Sequence, residues 1–163
     1  MRTNNGKVKN VIISLYFILI VLAIVLTTLL SEFRDLIDNK AITYIVVLLI
    51  FAVLFFITHH VSKYFEYDSD GIQVVILNRG LLLSDYFNYR EHKLEFEKEK
   101  LIKFKFNNYF FYKSLVVYVK GHNDHRKRVS FNVTLVSRKK IKYIKQSLSK
   151  MIKHNRKLNQ ANK

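Results

Sequence analysis

Residues 101–106 read LIKFKF, with Ile102, Phe104 and Phe106 alternating against Lys103 and Lys105. An apolar residue at every second position marks a strand with one buried and one wetted face, because successive side chains of an extended chain point to opposite sides. The alternation recurs in RVSFNVTLV, residues 128–136, where Val129, Phe131, Val133 and Leu135 fall on one side and Ser130, Asn132 and Thr134 on the other. Turn-forming residues punctuate these runs as DSDG at 68–71, NRG at 78–80 and GHND at 121–124. The pattern predicts strands near 63–68, 72–78, 81–87, 92–97, 101–107, 114–120 and 127–135. The fourth falls within YREHKLEFEKEK, residues 89–100, whose charge density suits a loop or a helical turn equally well, so five to seven strands are expected.

Downstream, SRKKIKYIKQSLSKMIKHNRKLN (137–159) carries nine Lys or Arg residues and no acid. Ile141, Ile144, Leu148, Met151 and Ile152 recur at helical spacing after Ser137, a suitable N-cap, which predicts a helix over 137–157. At about 100° per residue the five apolar positions share one narrow stripe without an aromatic residue. Such a stripe suits packing on a sheet better than insertion into a membrane interface.

Upstream the periodicity disappears. Residues 11–30, VIISLYFILIVLAIVLTTLL, and residues 41–58, AITYIVVLLIFAVLFFIT, contain no charge, and ten polar-rich residues, SEFRDLIDNK, separate them. Helices of about 17 to 25 apolar residues cross a bilayer, and so short a connection predicts an antiparallel hairpin. The first run is too long for a signal-peptide core and lacks a small-residue cleavage site. The expected organisation is therefore a tail (1–10), a transmembrane hairpin (11–58) and a β domain with its helix (59–163). Arg2, Lys7 and Lys9 precede the first run, basic residues from Lys63 follow the second, and only Arg34 and Lys40 lie between them. By the positive-inside rule both termini are expected in the cytoplasm.

The 163 residues contain no cysteine, which removes disulfides and thiolate metal sites, and only four scattered glycines, so no phosphate-cradling loop is present. His122, Asp124 and His125 look like a polar hairpin tip, His59 and His60 are adjacent and diverge on a helix, and Glu91, Glu95, Glu97 and Glu99 alternate with Lys93, Lys98 and Lys100. No catalytic, cofactor or metal residue is assigned, and enzymatic activity is not expected.

Charge is the informative property, with 28 basic and 12 acidic residues in the whole chain and no acid from His125 onward. If the last strand runs directly into the helix, Arg126, Lys127 and Arg128 approach Arg138, Lys139, Lys140 and Lys142, forming a surface for anionic lipid headgroups or a protein partner. Nucleic acid is the rival acidic partner, with Tyr109, Phe110, Phe111 and Tyr112 as stacking groups. A bilayer anchor opposes it, and aromatics at alternating strand positions are expected in the core.

The order of two apolar helices, short antiparallel strands and one amphipathic helix resembles the bacterial pleckstrin-homology-like (PH-like) membrane proteins of the two-helix type. The wording YFEYDSDGIQVV (64–75), NRGLLLS (78–84), FEKEKLIKFKF (96–106) and KSLVVYV (113–119) is similar to theirs. The resemblance implies a β-sandwich or partly open barrel plugged by the C-terminal helix, in a non-enzymatic protein of the bacterial inner membrane that binds the anionic leaflet or a protein. A subunit of a larger membrane complex is the alternative. Members of the wider fold bind phosphoinositides through a basic loop between the first two strands; here that loop is DSDG, with Asp68 and Asp70.

Overall fold

The computed structural model describes residues 1–32, 40–80, 91–121 and 125–161. The chain divides into two compact units, one formed by Lys7–His60 and the other by Met1–Gly6 together with Val61–Lys163.

The first unit holds α1 (Lys9–Glu32) and α2 (Lys40–Val61), both long and apolar enough to cross a membrane. Almost none of either apolar stretch is buried, which separates them from the core helices of a water-soluble protein. Thr27 and Thr28 donate their hydroxyls to the carbonyls of Ala23, Ile24 and Val25, so these polar groups need no water. The two helices touch where Tyr16 and Phe55 bring their rings to 4.7 Å.

The second unit contains seven strands among the described residues, in two antiparallel sheets, and a C-terminal helix. One sheet has the order β1 (Arg2–Asn4), β2 (Lys63–Asp68), β3 (Gln73–Gly80), β4 (His92–Glu97); the other has β5 (Leu101–Asn108), β6 (Lys113–Lys120), β7 (Arg126–Asn132). The doubtful charged segment is a strand, β4, because Leu94 and Phe96 are buried opposite Ile76 and Val74 while the intervening charges face out. The expected strand at 81–87 lies outside the described residues. NRG is not a turn, since β3 continues through Gly80.

Residues 1–10 are not a tail. Arg2, Thr3 and Asn4 pair with Asp68, Tyr67 and Glu66, adding an edge strand to the β unit from the far side of the apolar hairpin. The α-ammonium of Met1 meets Asp70, and Ser69 donates its backbone N–H to the Met1 carbonyl at 3.0 Å.

The core lies between the sheets and under the helix α3 (Arg138–Ala161). Phe65, Tyr67, Val74 and Ile76 face Leu115, Val117, Phe131, Ile144 and Leu148, all fully buried. Burial of each such side chain stabilises the fold by about 1.5–3 kcal/mol. The expected helical stripe is the stripe observed, with Ile141, Met151 and Ile152 flanking Ile144 and Leu148 against the core. Ser147 adds a polar fixing point, its hydroxyl 2.9 Å from that of Tyr67.

Burial, together with a hydrogen bond to Glu66, pushes the Tyr64 phenol up to about 12, and burial also raises Tyr67. A raised folded value means that the unfolded chain releases its protons first. The stabilisation is therefore intact below the ordinary phenol value of 10.0 and is lost as pH climbs toward about 12. The urea midpoint is expected to fall between pH 9 and pH 11 by roughly one unit of denaturant concentration or less, and to fall less in Tyr64→Phe; an equal fall in both would assign the effect to other groups.

Candidate functional site

Three asparagines organise one end of the β unit. Asn5 donates its backbone N–H to the Phe65 carbonyl at 3.2 Å, its Nδ2 to the Lys63 carbonyl at 3.0 Å, and accepts the Phe65 N–H on Oδ1 at 2.8 Å. Asn78 donates from Nδ2 to the carbonyls of Tyr64 and Asn132 and accepts the Asn132 N–H on Oδ1, joining β3 of one sheet to β7 of the other. Asn132 donates from its own Nδ2 to the Val61 carbonyl at 3.3 Å. Asn132 was expected on the wetted side of its strand; it is buried instead, because β7 leaves the sheet there and its amide serves freed backbone groups. These bonds tie Asn5, just before α1, to Lys63, just after α2. We call this the proximal end.

The β5–β6 hairpin points its tip the same way. Asn108 pairs with Lys113, and Ser114 pairs with Asn132 of β7, so residues 109–112 project beyond the sheet at the proximal end. Tyr109 donates its N–H to the Tyr112 carbonyl at 2.8 Å, closing a four-residue turn. Phe110 is 94% exposed, Phe111 68% and Tyr109 60%. The two phenylalanine rings meet edge to face at 4.5 Å, and Tyr109 stacks on Tyr112 at 6.5 Å. The core assignment of these aromatics is thus overturned: the ladder ends before them, and Tyr109, Phe110 and Phe111 are exposed beyond the last pair. One signal was available, since YFFY is continuous where a half-buried strand alternates. Part burial and the neighbouring Tyr109 raise the Tyr112 phenol.

The expected basic surface separates into two. Arg126 pairs with Lys120 at the distal end of β7 and Asn132 with Ser114 at the proximal end; six steps of about 3.3 Å put those ends roughly 20 Å apart. The strand does not run directly into the helix. It stops at Asn132, Val133 bonds the Lys113 carbonyl, and α3 starts at Arg138. Ser137 caps α3 as expected, accepting the Lys140 N–H at 3.5 Å. Arg138, Lys139 and Lys142 are therefore exposed in the first turns of α3, toward the proximal end, and Lys140 reaches the Asn4 carbonyl. Arg126, Lys127 and Arg128 are exposed at the other end.

At the distal end α3 is held by Asn155, whose Nδ2 donates to the carbonyls of Lys98, Glu99 and Leu101. Beside it lies an open cleft of about 580 Å³ lined by Lys100, Lys120, Arg126 and Arg156 together with Glu97 and Glu99. Lys100 is already engaged by Glu97 at 3.1 Å. Two other carboxylates of the charged segment pair likewise, Glu95 with Lys93 at 2.6 Å and Glu91 with Arg79 at 3.6 Å. Among the described residues no group of three or more His, Asp or Glu side chains could hold a metal ion, and His122 and Asp124 lie outside them. The DSDG loop is also distal; Asp70 bonds the Asp68 carboxylate through its backbone N–H at 3.0 Å.

No protein-family model, no curated protein and no solved structure matches this chain.

Proposed function

We propose that this chain is a non-enzymatic, membrane-anchored module of PH-like architecture, whose β unit lies at the cytoplasmic face of a bacterial inner membrane and binds its anionic headgroups. The observation that carries the reading is the joining of Asn5 to Lys63 and Phe65. A chain whose residues before α1 and after α2 are hydrogen-bonded together enters and leaves the apolar hairpin on one side, as two crossings require. Among the described residues, six strands after the apolar helices, in two antiparallel sheets and followed by one helix, accord with the β-sandwich and C-terminal helix that the PH-like resemblance implies.

Electrostatics divide the basic residues. Attraction to anionic lipid is about 1 kcal/mol per residue near the surface and decays over roughly 8 Å. Arg138, Lys139 and Lys142, toward the proximal end, together supply about 3 kcal/mol, or roughly 100-fold in affinity. Arg126, Lys127 and Arg128, roughly 13–20 Å farther along β7, lie beyond that decay length and supply little. The acidic distal DSDG loop takes no part.

The full chain in nanodiscs with and without anionic lipid tests this. Backbone amides of residues 138–142 are expected to exchange more slowly in anionic discs at low salt, with the difference lost at high salt and in Arg138→Glu/Lys139→Glu/Lys142→Glu. Equal exchange in the two lipids would overturn leaflet binding and leave a protein partner as the role of the module.

A further inference from the structure

We infer that the Tyr109–Tyr112 tip of the β5–β6 hairpin is a second, monotopic membrane anchor: an aromatic wedge that enters the headgroup layer of the bilayer crossed by α1 and α2. The inference rests on the membrane reading above and names the element that makes the contact.

Three observations converge on it. First, the tip is costly in water. Its two phenylalanines and Tyr109 are among the most exposed large side chains of the β unit, and they are held out rigidly by the closed turn and by their mutual ring contacts. Aromatic rings with a polar edge are the residues that favour the membrane–water interface, and an apolar tip with a basic surround is the composition that lies in it.

Second, the tip lies at the end of the β unit where the chain leaves for α1 and returns from α2. It projects from the end of the β unit that carries Asn5 and Val61, and Ser62 alone separates α2 from β2. Among the described residues another exposed apolar residue at a hairpin turn of this unit, Ile72, follows β2 at the distal end and is 85% exposed. One apolar turn therefore lies at the end of the β unit that carries Asn5 and Lys63, and the other at its opposite end.

Third, the surround has the right sign. From Lys100 to Lys120 the hairpin contains no acidic residue, Lys113 directly follows the tip, and Lys105 lies farther back on β5. Among the described residues Glu66 is engaged by Arg2 and the Tyr64 hydroxyl, and Glu91 by Arg79. Asn107, Asn108 and Lys113 form a polar collar that limits the depth to the four turn residues. A nucleic-acid strand stacking on these rings would need the same surface, but it could not reach a tip seated in lipid.

The chain contains no tryptophan, so single reporters are unambiguous. We would prepare Phe110→Trp, Ile72→Trp and, as the in-bilayer reference, Leu48→Trp of α2, each in the full chain reconstituted with bromine-labelled anionic lipid. Phe110→Trp is expected to emit at shorter wavelength than Ile72→Trp and to be quenched severalfold more, though less than Leu48→Trp. Emission and quenching of Phe110→Trp equal to those of Ile72→Trp, with Leu48→Trp fully quenched, would overturn the wedge and leave the anchored module standing. If Leu48→Trp is also unquenched, the membrane reading itself fails. An increase in Phe110→Trp emission on adding single-stranded oligonucleotide, with no lipid quenching, would replace the wedge by a nucleic-acid site.

Discussion

Phe131→Ala is expected to lower the unfolding free energy of the β unit by about 3–5 kcal/mol, the range for a large aromatic removed from a packed core. Phe131 is fully buried in β7, opposite Leu115 in register, and its ring lies 5.1 Å from that of His92 on β4. It is therefore a contact between the two sheets and belongs to neither alone. Core residues of one sheet cannot collapse into the vacated space without breaking their own ladder, so little of the cavity cost is recovered. Against a typical domain stability of about 5–15 kcal/mol, such a loss leaves a large unfolded fraction under mild denaturation. Urea unfolding of the full chain in mild detergent, followed by far-ultraviolet circular dichroism, is the measurement. Phe131→Leu, which keeps most of the volume, should lose much less, and a midpoint for Phe131→Ala within error of the parent would mean that the inter-sheet core is not where the stability resides.

Phe131 was legible from RVSFNVTLV because its neighbours alternate, and the same holds for Leu94 and Phe96 once β4 is accepted. Elements whose partners are local in sequence were read nearly to the residue: β2 at 63–68, β5 and β6 within one residue, and α3 from its stripe and its serine cap. What escaped depends on distant pairing. RTN at residues 2–4 has no periodicity and no strand composition; it becomes a strand only because Tyr67 and its neighbours lie more than sixty positions away in sequence and beside it in space. The boundary at 59 was misplaced for the same reason, since a β unit cut there loses β1 and the three bonds of Asn5 to β2. The basic surface failed differently. Nine cations between 137 and 159 are visible to anyone counting charge, but a one-strand separation of about 20 Å decides which of them can feel a membrane, and that distance exists only after the strand is paired. The aromatic tip was the reverse case, legible in YFFY yet assigned to the core because aromatic residues are usually buried.

Asn78→Leu is expected to cost about 2–4 kcal/mol, because it strands three partly buried backbone groups at once: the carbonyls of Tyr64 and Asn132 and the Asn132 N–H. An unmade bond of this kind carries the desolvation penalty of each group left without a partner, which exceeds the small net worth of the bond when made. Asn78→Asp separates the contributions, since a carboxylate still accepts the Asn132 N–H but offers the two carbonyls negative charge in place of a donor. It should be at least as damaging as the leucine despite its smaller change in shape. Location gives the prediction its functional edge. The clip sits at the proximal end, between the strand that receives the chain from α2 and the strand that leaves toward Arg138 and its basic neighbours. Amide exchange in Asn78→Leu should therefore rise first at residues 63–65 and 131–132 and later at Val119 and Lys120, toward the distal end. A uniform rise would mean that the asparagine sets global stability only, whereas a proximal rise accompanied by weaker lipid quenching of Phe110→Trp in the same background would show that the clip holds the wedge and the basic turn of α3 on one rigid face.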